Sequence, residues 1–563
     1  MRYLMPLLAP LLLLAGCATT TQQVRYTPPD VGVSSYGLFL AGQGALNDGS
    51  GARAAQYFED AQRLGDPDGS IAEHAFSAAI LAGDVGKAAA LLKADDPSTT
   101  GGSHLGRLVQ GVAAMADGKG KLAHRYLSEG GSMVPHTAVV ALLSPWAAAM
   151  AGDAEGAIVR PQAGNDRIVE YFGMLGQAAL FESARRFDEA ETDFKALTAG
   201  DRPASISLLA YGNFLERRGR RLDAVALYGR GLALDPRDRA LKDAKKRAAT
   251  GGKAPQLSSL KSGAAQAIMA PAATLLAGKQ QQMSLVYLRL ALWLDPDLDT
   301  AWLMVGDVMT SAGGLEAART AYGKVKPGSN SYTAAQTKLV WSYQTAKDTV
   351  TAIALARQAA TGGDPEALIT LADLLRVNGQ YAESAELLTR VIKDQPDWRL
   401  LYARGATYQQ AGLWPQAEQD LTAALKAQPD DPEVLNYLGY SWIDRGENLD
   451  KALAMVQRAV ASNPQSGAMI DSLGWAYYRL GNFKLAVEYL ERAIDIEAGD
   501  PDINNHLGDA YWRVGRRDEA IFQWRRVLTL DPDAKLKAEA EAKLAAGGLG
   551  PAGPVAVPKV AGQ

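Results

Sequence analysis

The clearest order in the chain is a helical pattern of apolar, small and polar positions that recurs late in the sequence. LLYARGATYQQAGLWPQAEQDLTAALKAQP ends at Pro429, MIDSLGWAYYRLGNFKLAVEYLERAI at Ile494 and INNHLGDAYWRVGRRDEAIFQWRRVLTLDP at Pro532. The reference glycines Gly405, Gly439, Gly474 and Gly508 lie 34, 35 and 34 residues apart. The longer step has a visible cause, because Gly446 to Ala452 carries one residue more than Gly412 to Ala417. Each unit predicts two antiparallel helices. Gly412, Gly446, Gly481 and Gly515 end the first helix, where the backbone must turn left-handed. Pro396, Pro429, Pro464 and Pro532 stop the second. No strand pattern rises above noise.

The same positions suggest how the two helices meet. Gly405, Gly439, Gly474 and Gly508 let the second helix approach closely, opposite Ala417, Ala452, Ala486 and Ala520. Tyr408, Trp442, Tyr477 and Tyr511 fill the space beside the crossing. This pattern resembles the tetratricopeptide repeat (TPR), with its W-x2-L-G-x2-Y core and 34-residue period. The resemblance implies an all-α superhelix of helix pairs. Looser copies run earlier: Gly212/Gly219/Ala224/Tyr228/Pro236, Trp302/Gly306/Gly313/Ala318/Tyr322, and residues 268–296. Weaker ones are anchored at Gly42/Phe58, Gly83/Ala88, Gly111/Leu127, Gly152/Ala157, Ala190/Phe194 and Ala352/Ala356, for about fourteen pairs between 35 and 533. The first four are either degenerate TPRs or generic paired helices. Residues 237–267, a charged helix and a Gly/Pro-containing linker, mark the expected boundary between a half at 35–236 and one at 268–533, with the best copies at 365–533. Residues 534–546 read as a polar capping helix, which a solenoid end needs, and 547–563 as a disordered tail.

The first residues read as an address. Arg2 precedes an apolar stretch from Leu4 to Leu14, too short for a membrane span and right for a signal peptide over 1–16. Leu14-Ala15-Gly16-Cys17 resembles a bacterial lipobox, which implies cleavage before Cys17 and acylation there. Ala18, rather than Asp, favours the outer membrane under the same resemblance. Acyl chains at about 0.8 kcal/mol per buried methylene make a permanent anchor. Residues 17–34, with Thr19–Thr21 and Pro28-Pro29, then form a flexible tether.

Composition narrows the function. With 47% hydrophobic and 21% charged residues the chain is globular, and a net charge of −4 gives no reason to expect nucleic acid. Cys17 is the single cysteine, and the five histidines are scattered, so no metal site or cofactor is expected. Nucleotide-binding, hydrolase-elbow and zinc-protease motifs are absent. Gly118-Lys119-Gly120-Lys121 has phosphate-loop composition without its spacing and reads as an inter-helix turn. Asp430-Asp431 falls where a helix N-terminus favours acids. Repeats leave no room for a separate catalytic domain, so the chain is expected not to be an enzyme.

TPR arrays present their first helices on a concave wall. With the reference glycines at position 8, that wall receives Tyr402 and Gln409, then Asn436, Tyr440 and Asp444, then Asp471, Trp475, Tyr478 and Arg479, and last Asn505, Asp509, Trp512 and Arg513. Asn436 and Asn505 share a repeat position and can pair with a peptide backbone. Trp475, Tyr478 and Trp512 are either groove anchors or fillers between repeats. Arg513, Arg516, Arg517, Arg525 and Arg526 form a basic cluster that reads as a solvated face, or else as a carboxylate or anionic-lipid contact.

The block from Asn436 to Leu528 is similar to the C-terminal repeats of a proteobacterial family of TPR outer-membrane lipoproteins. That resemblance implies an adaptor that holds a periplasmic carboxyl-terminal processing protease and its envelope substrates. The expected function is therefore a non-catalytic, protein-binding scaffold facing the periplasm. The alternative is a structural subunit of an envelope assembly or export machine.

Overall fold

The computed structural model describes residues 34–550, apart from 48–49, 66–69, 93–103, 130, 132, 163, 165 and 395. Cys17, its leader and tether, and residues 551–563 lie outside the described residues. The described residues form 29 α-helices and no strand. The expected all-α solenoid of helix pairs is what the chain builds. It divides into two compact units after Tyr332.

In the first unit, α1 (Ser35–Asn47) pairs with α2 (Gly51–Leu64), α3 (Ser70–Ala82) with α4 (Val85–Leu91), and α5 (His104–Ala116) with α6 (Gly120–Ser128). Helix α7 (Thr137–Ala151) is followed by a 3-10 turn at Gly156–Ile158 in place of a second helix, and packs chiefly on α6. Next come α8 (Arg167–Ser183) with α9 (Phe187–Thr198), α10 (Ser205–Arg217) with α11 (Arg221–Leu234), and the single helix α12 (Arg239–Ala249). The unit closes with α13 (Leu260–Ala277) and α14 (Gln281–Leu294), then α15 (Asp299–Ser311) and α16 (Leu315–Tyr322).

The second unit runs through α17 (Tyr332–Thr345) and α18 (Thr349–Ala360), α19 (Pro365–Val377) and α20 (Tyr381–Asp394), and α21 (Trp398–Gln410) and α22 (Trp414–Ala427). It continues with α23 (Pro432–Arg445) and α24 (Leu449–Ser462), α25 (Gly467–Arg479) and α26 (Phe483–Ile496), and α27 (Pro501–Arg513) and α28 (Arg517–Val527). The helix α29 (Ala534–Ala545) packs on α28 and α27.

One contact explains the repeat. A Cβ on Gly405, Gly474 or Gly508 would stand 3.3 Å from the carbonyl oxygen of Ala417, Ala486 or Ala520, and one on Gly439 3.2 Å from that of Ala452. The side chain one turn further along the second helix closes over the glycine: Leu421, Val456, Leu490 and Trp524. Tyr228 covers Gly212 and Tyr322 covers Gly306 in the same way, and both tyrosines are fully buried. The weaker early copies follow suit, with Phe58 over Gly42 and Leu127 over Gly111. Burying such a side chain is worth about 1.5–3 kcal/mol, so each repeat contributes a similar increment of core. Gly412, Gly446, Gly481 and Gly515 carry φ of 75°, 72°, 78° and 88°, the left-handed turn their position demands. Asp364, Asp397, Asp431, Asp500 and Asp533 cap the helices that follow them, which accounts for the Asp430-Asp431 pair.

The expected boundary at 237–267 differs from the division found. Asp238 caps α12, whose Leu241, Ala244 and Ala248 are buried on α10 and α11. The following irregular segment is tied down, since Arg221 donates to the Gly252 carbonyl and Arg217 to that of Pro255. Helix α13 begins at Leu260, seven residues before the expected end of the linker. Its Gly263-Ala264-Ala265 run imitates a linker in sequence because the Trp146 ring lies directly on Gly263. The chain then turns back: α13 packs on α7 and α8, and α14 on α3, α4 and α5. His136 meets the Tyr287 hydroxyl at 2.8 Å, and Lys261 donates to the Ala116 carbonyl. Unit 1 is thus covered by its own hairpin.

Candidate partner-binding groove

Four first helices of the second unit, α21, α23, α25 and α27, carry the residues expected on the wall. At one end, Tyr402 meets Tyr437 edge-on at 5.5 Å, and the Tyr437 hydroxyl donates to Gln409 at 3.1 Å. Burial pushes the Tyr437 hydroxyl up to about 12 and raises Tyr402 further. Tyr440 is half-buried, and burial, then Asp471 and Asp444, raise it too. These phenols stay neutral donors at any ordinary pH.

The middle of the wall is aromatic. Trp475 lies between Tyr478, stacked at 4.7 Å, and His506, stacked at 4.1 Å. It therefore fills space between successive repeats while keeping an exposed edge. Its indole Nε1 is buried with no hydrogen-bond partner, and so is Asn436 Oδ1 on the preceding repeat. One is a donor and the other an acceptor. A buried polar atom left unmatched costs about 1–3 kcal/mol. Arg479 donates to the Asp444 carbonyl and carboxylate at 2.6 and 3.1 Å, and Asp444 is exposed.

The last repeat is closed. Asn505 and Asp509 do not face an open groove, because α29 covers them. Lys543 donates to Asn505 Oδ1 at 2.8 Å and to both Asp509 oxygens at 2.8 and 2.9 Å. Trp524 Nε1 donates to Asp509 as well, at 2.9 Å. The equivalence with Asn436 fails because the capping helix supplies a cation that a repeat helix does not. The start of the expected disordered tail is placed too. Trp512 Nε1 donates to the Leu549 carbonyl at 3.0 Å, and Arg513 to that of Gly550 at 2.7 Å. Gly548 lies on the Trp512 ring, where any Cβ would overlap it. The basic cluster is mostly engaged: Arg516 pairs with Glu491 and Glu519, and Arg517 lies over Trp512.

Sequence reasoning missed His506, which turns out to lie at the heart of the wall. It is buried beside Asp471, with 3.0 Å to each carboxylate oxygen. The signal was there, since the two are 35 residues apart, one repeat. Burial pulls the imidazole down, but Asp471, Asp509 and Asp502 outweigh it and hold His506 above its ordinary value. Asp509 and Asp502 are themselves raised, chiefly by burial. A raised histidine contributes stability that is full below its unfolded value and is lost as pH rises through its folded value. The second unit is therefore expected to be more stable near pH 6 than near pH 9. Asp471→Asn should flatten that difference in urea unfolding followed at both pH values.

The fold and wall together define an all-α TPR solenoid. Residues 256–531 match the tetratricopeptide repeat family model. The TPR repeat-containing protein PA4667 of Pseudomonas aeruginosa is 32% identical over 139 residues. That stretch is 24% of this chain and 23% of PA4667's own length. Among solved structures, a tetratricopeptide repeat protein from Parabacteroides merdae aligns with 43% of this chain and 96% of its own, at 15% identity and a TM-score of 0.37. A thermophilic TPR protein of Thermus thermophilus aligns with 32% of this chain and 99% of its own, at 25% identity and a TM-score of 0.30.

Proposed function

We propose that the chain is a non-catalytic scaffold that binds an extended segment of a partner protein along the wall of the second unit, from Trp475 through Asn436 to Tyr402. The observation that carries this is the run of half-buried aromatic side chains on successive first helices, Tyr402, Tyr437, Tyr440, Trp475 and Tyr478. Gln409 and Asn436 lie on the same helices, and their side-chain amides can pair with a peptide backbone. The half-buried rings of Tyr440 and Tyr478 add the apolar, hydroxyl-tipped surface that dominates interface energetics. Trp512 is left out of this path, since the chain's own Leu549 occupies its N–H.

The finer reading follows from sequence. The lipobox-like Leu14-Ala15-Gly16-Cys17 supports acylation at Cys17 and an outer-membrane anchor with the repeats in the periplasm. The resemblance of residues 436–528 supports an adaptor for a carboxyl-terminal processing protease and its substrates. The experiment is photo-crosslinking in cells from a reactive residue placed at Tyr440, with mass spectrometry of the product. Capture of a periplasmic protease, lost in Trp475→Ala/Asn436→Leu and retained in Lys347→Ala, is expected. Unchanged capture in the double variant overturns the groove assignment. Stoichiometric capture of an assembly or export complex instead overturns the adaptor reading.

A further inference from the structure

The first unit contains a cavity of about 910 Å³, within the range of small-molecule sites. It lies where α1–α2 and α15–α16 approach each other over α14. Leu46, Leu285, Trp302, Val305 and Met309 supply an apolar wall, and among the described residues no aspartate or glutamate lines it. Two cations do: Arg53, steadied by Ser50 Oγ at 2.6 Å, and Arg289.

Arg289 is the unusual group. Its Nε donates to the Leu81 carbonyl at 3.2 Å, at the end of α3, where a cation is welcome. The guanidinium's two terminal nitrogens have no hydrogen-bond partner among the described residues. Gly83 lets the side chain lie against the turn, for a Cβ there would touch Arg289 Cδ at 3.3 Å. Burial alone pulls Arg289 down to about 10, with no carboxylate to offset it. Arg289 is half-buried, and an arginine is the residue suited to bidentate pairing with carboxylate or phosphate. The structural task at Leu81 uses one of its five N–H groups.

We infer that this cavity binds a monoacyl amphiphile with an anionic head, its carboxylate or phosphate on Arg289 and its chain along Leu285, Val305 and Met309. An acyl chain is the complement of the apolar side formed by Leu285, Val305 and Met309. The site is independent of the groove in the second unit.

Titration calorimetry of the purified full chain tests this, using palmitate, lysophosphatidylglycerol and the uncharged hexadecanol. One anionic ligand per chain is expected, with hexadecanol roughly 10–100-fold weaker, the span of a charge-assisted pair. Tighter palmitate identifies a free fatty acid as the source, and tighter lysophosphatidylglycerol a phospholipid. Arg289→Met should bring the anion to the hexadecanol level while the affinity for hexadecanol itself stays unchanged, which reports an intact cavity. Ala317→Trp, which fills the cavity from its rim, should abolish all binding with Arg289 intact. Equal affinity for anion and alcohol, undiminished anion binding in Arg289→Met or Ala317→Trp, or no binding at all overturns the assignment.

Discussion

Lys543→Ala is expected to destabilise the C-terminal end of the second unit by about 3–5 kcal/mol. Lys543 and Asp509 are both buried, with side chains 9% and 7% exposed, at 2.8 Å. Removing the ammonium leaves a carboxylate that Trp524 Nε1 alone solvates, and strips Asn505 of its donor. Burial already pushes Asp509 up even with Lys543 beside it, so the variant should protonate the carboxyl well above the usual range. Hydrogen exchange resolved by peptide is the right measurement, since a chain of two units need not unfold in one step. Amides of α27–α29 should lose protection while those of α1–α16 keep theirs. Asp509→Leu with Lys543→Met removes both charges together and should recover most of the loss. Unchanged protection in Lys543→Ala would falsify the account of α29 as an electrostatic cap.

Gly120→Ala, a single added methyl, should be among the most damaging changes in the first unit. Its Cβ would overlap the Met150 carbonyl and stand 2.6 Å from Ala151 N, all backbone atoms that cannot swing aside. Overpacking of this kind costs typically about 1–3 kcal/mol, and more where no flexible side chain can yield. Gly118, two residues earlier, is the internal control. It has φ +76° with nothing within 4 Å, so Gly118→Ala should cost only about 1–2 kcal/mol of backbone strain. Thermal unfolding followed by circular dichroism should rank Gly120→Ala clearly below Gly118→Ala. The reverse order would show that α6 and α7 do not touch as described. The contrast also explains a glycine-rich stretch of phosphate-loop composition: one glycine turns the chain and the other admits α7.

The repeat was legible because its physics is local. A glycine, an alanine and a bulky residue at fixed spacing make one crossing, and Gly405–Leu421 or Gly508–Trp524 can be read from a single window of sequence. Helix caps at Asp431 and Asp500 were legible for the same reason. Features that depend on another part of the chain were not. Leu260–Ala265 looked like a linker because its partner, Trp146, is over a hundred residues away. Asn505 and Asp509 looked like groove residues because position alone cannot reveal that Lys543 will reach them. Trp512 reads as either an anchor or a filler, because position alone does not show that the Leu549 carbonyl takes its N–H. On the wall, position within the repeat placed Tyr402, Asn436, Tyr440, Trp475 and Tyr478 along one set of helices. Which of their atoms lack partners only the packed structure tells.

The return of α13–α14 across α3–α8 changes how the first unit behaves as a polymer. Arg289 reaches a carbonyl 208 residues earlier, and His136 meets a tyrosine 151 residues later. An open array can lose or gain a repeat and fray from its ends, because each element answers only to its neighbours. A chain fastened across such distances has a high contact order, forms late and slowly, and comes apart as a block. Evolution can therefore lengthen or trim the C-terminal array far more freely than the N-terminal one, whose hairpins are no longer interchangeable parts.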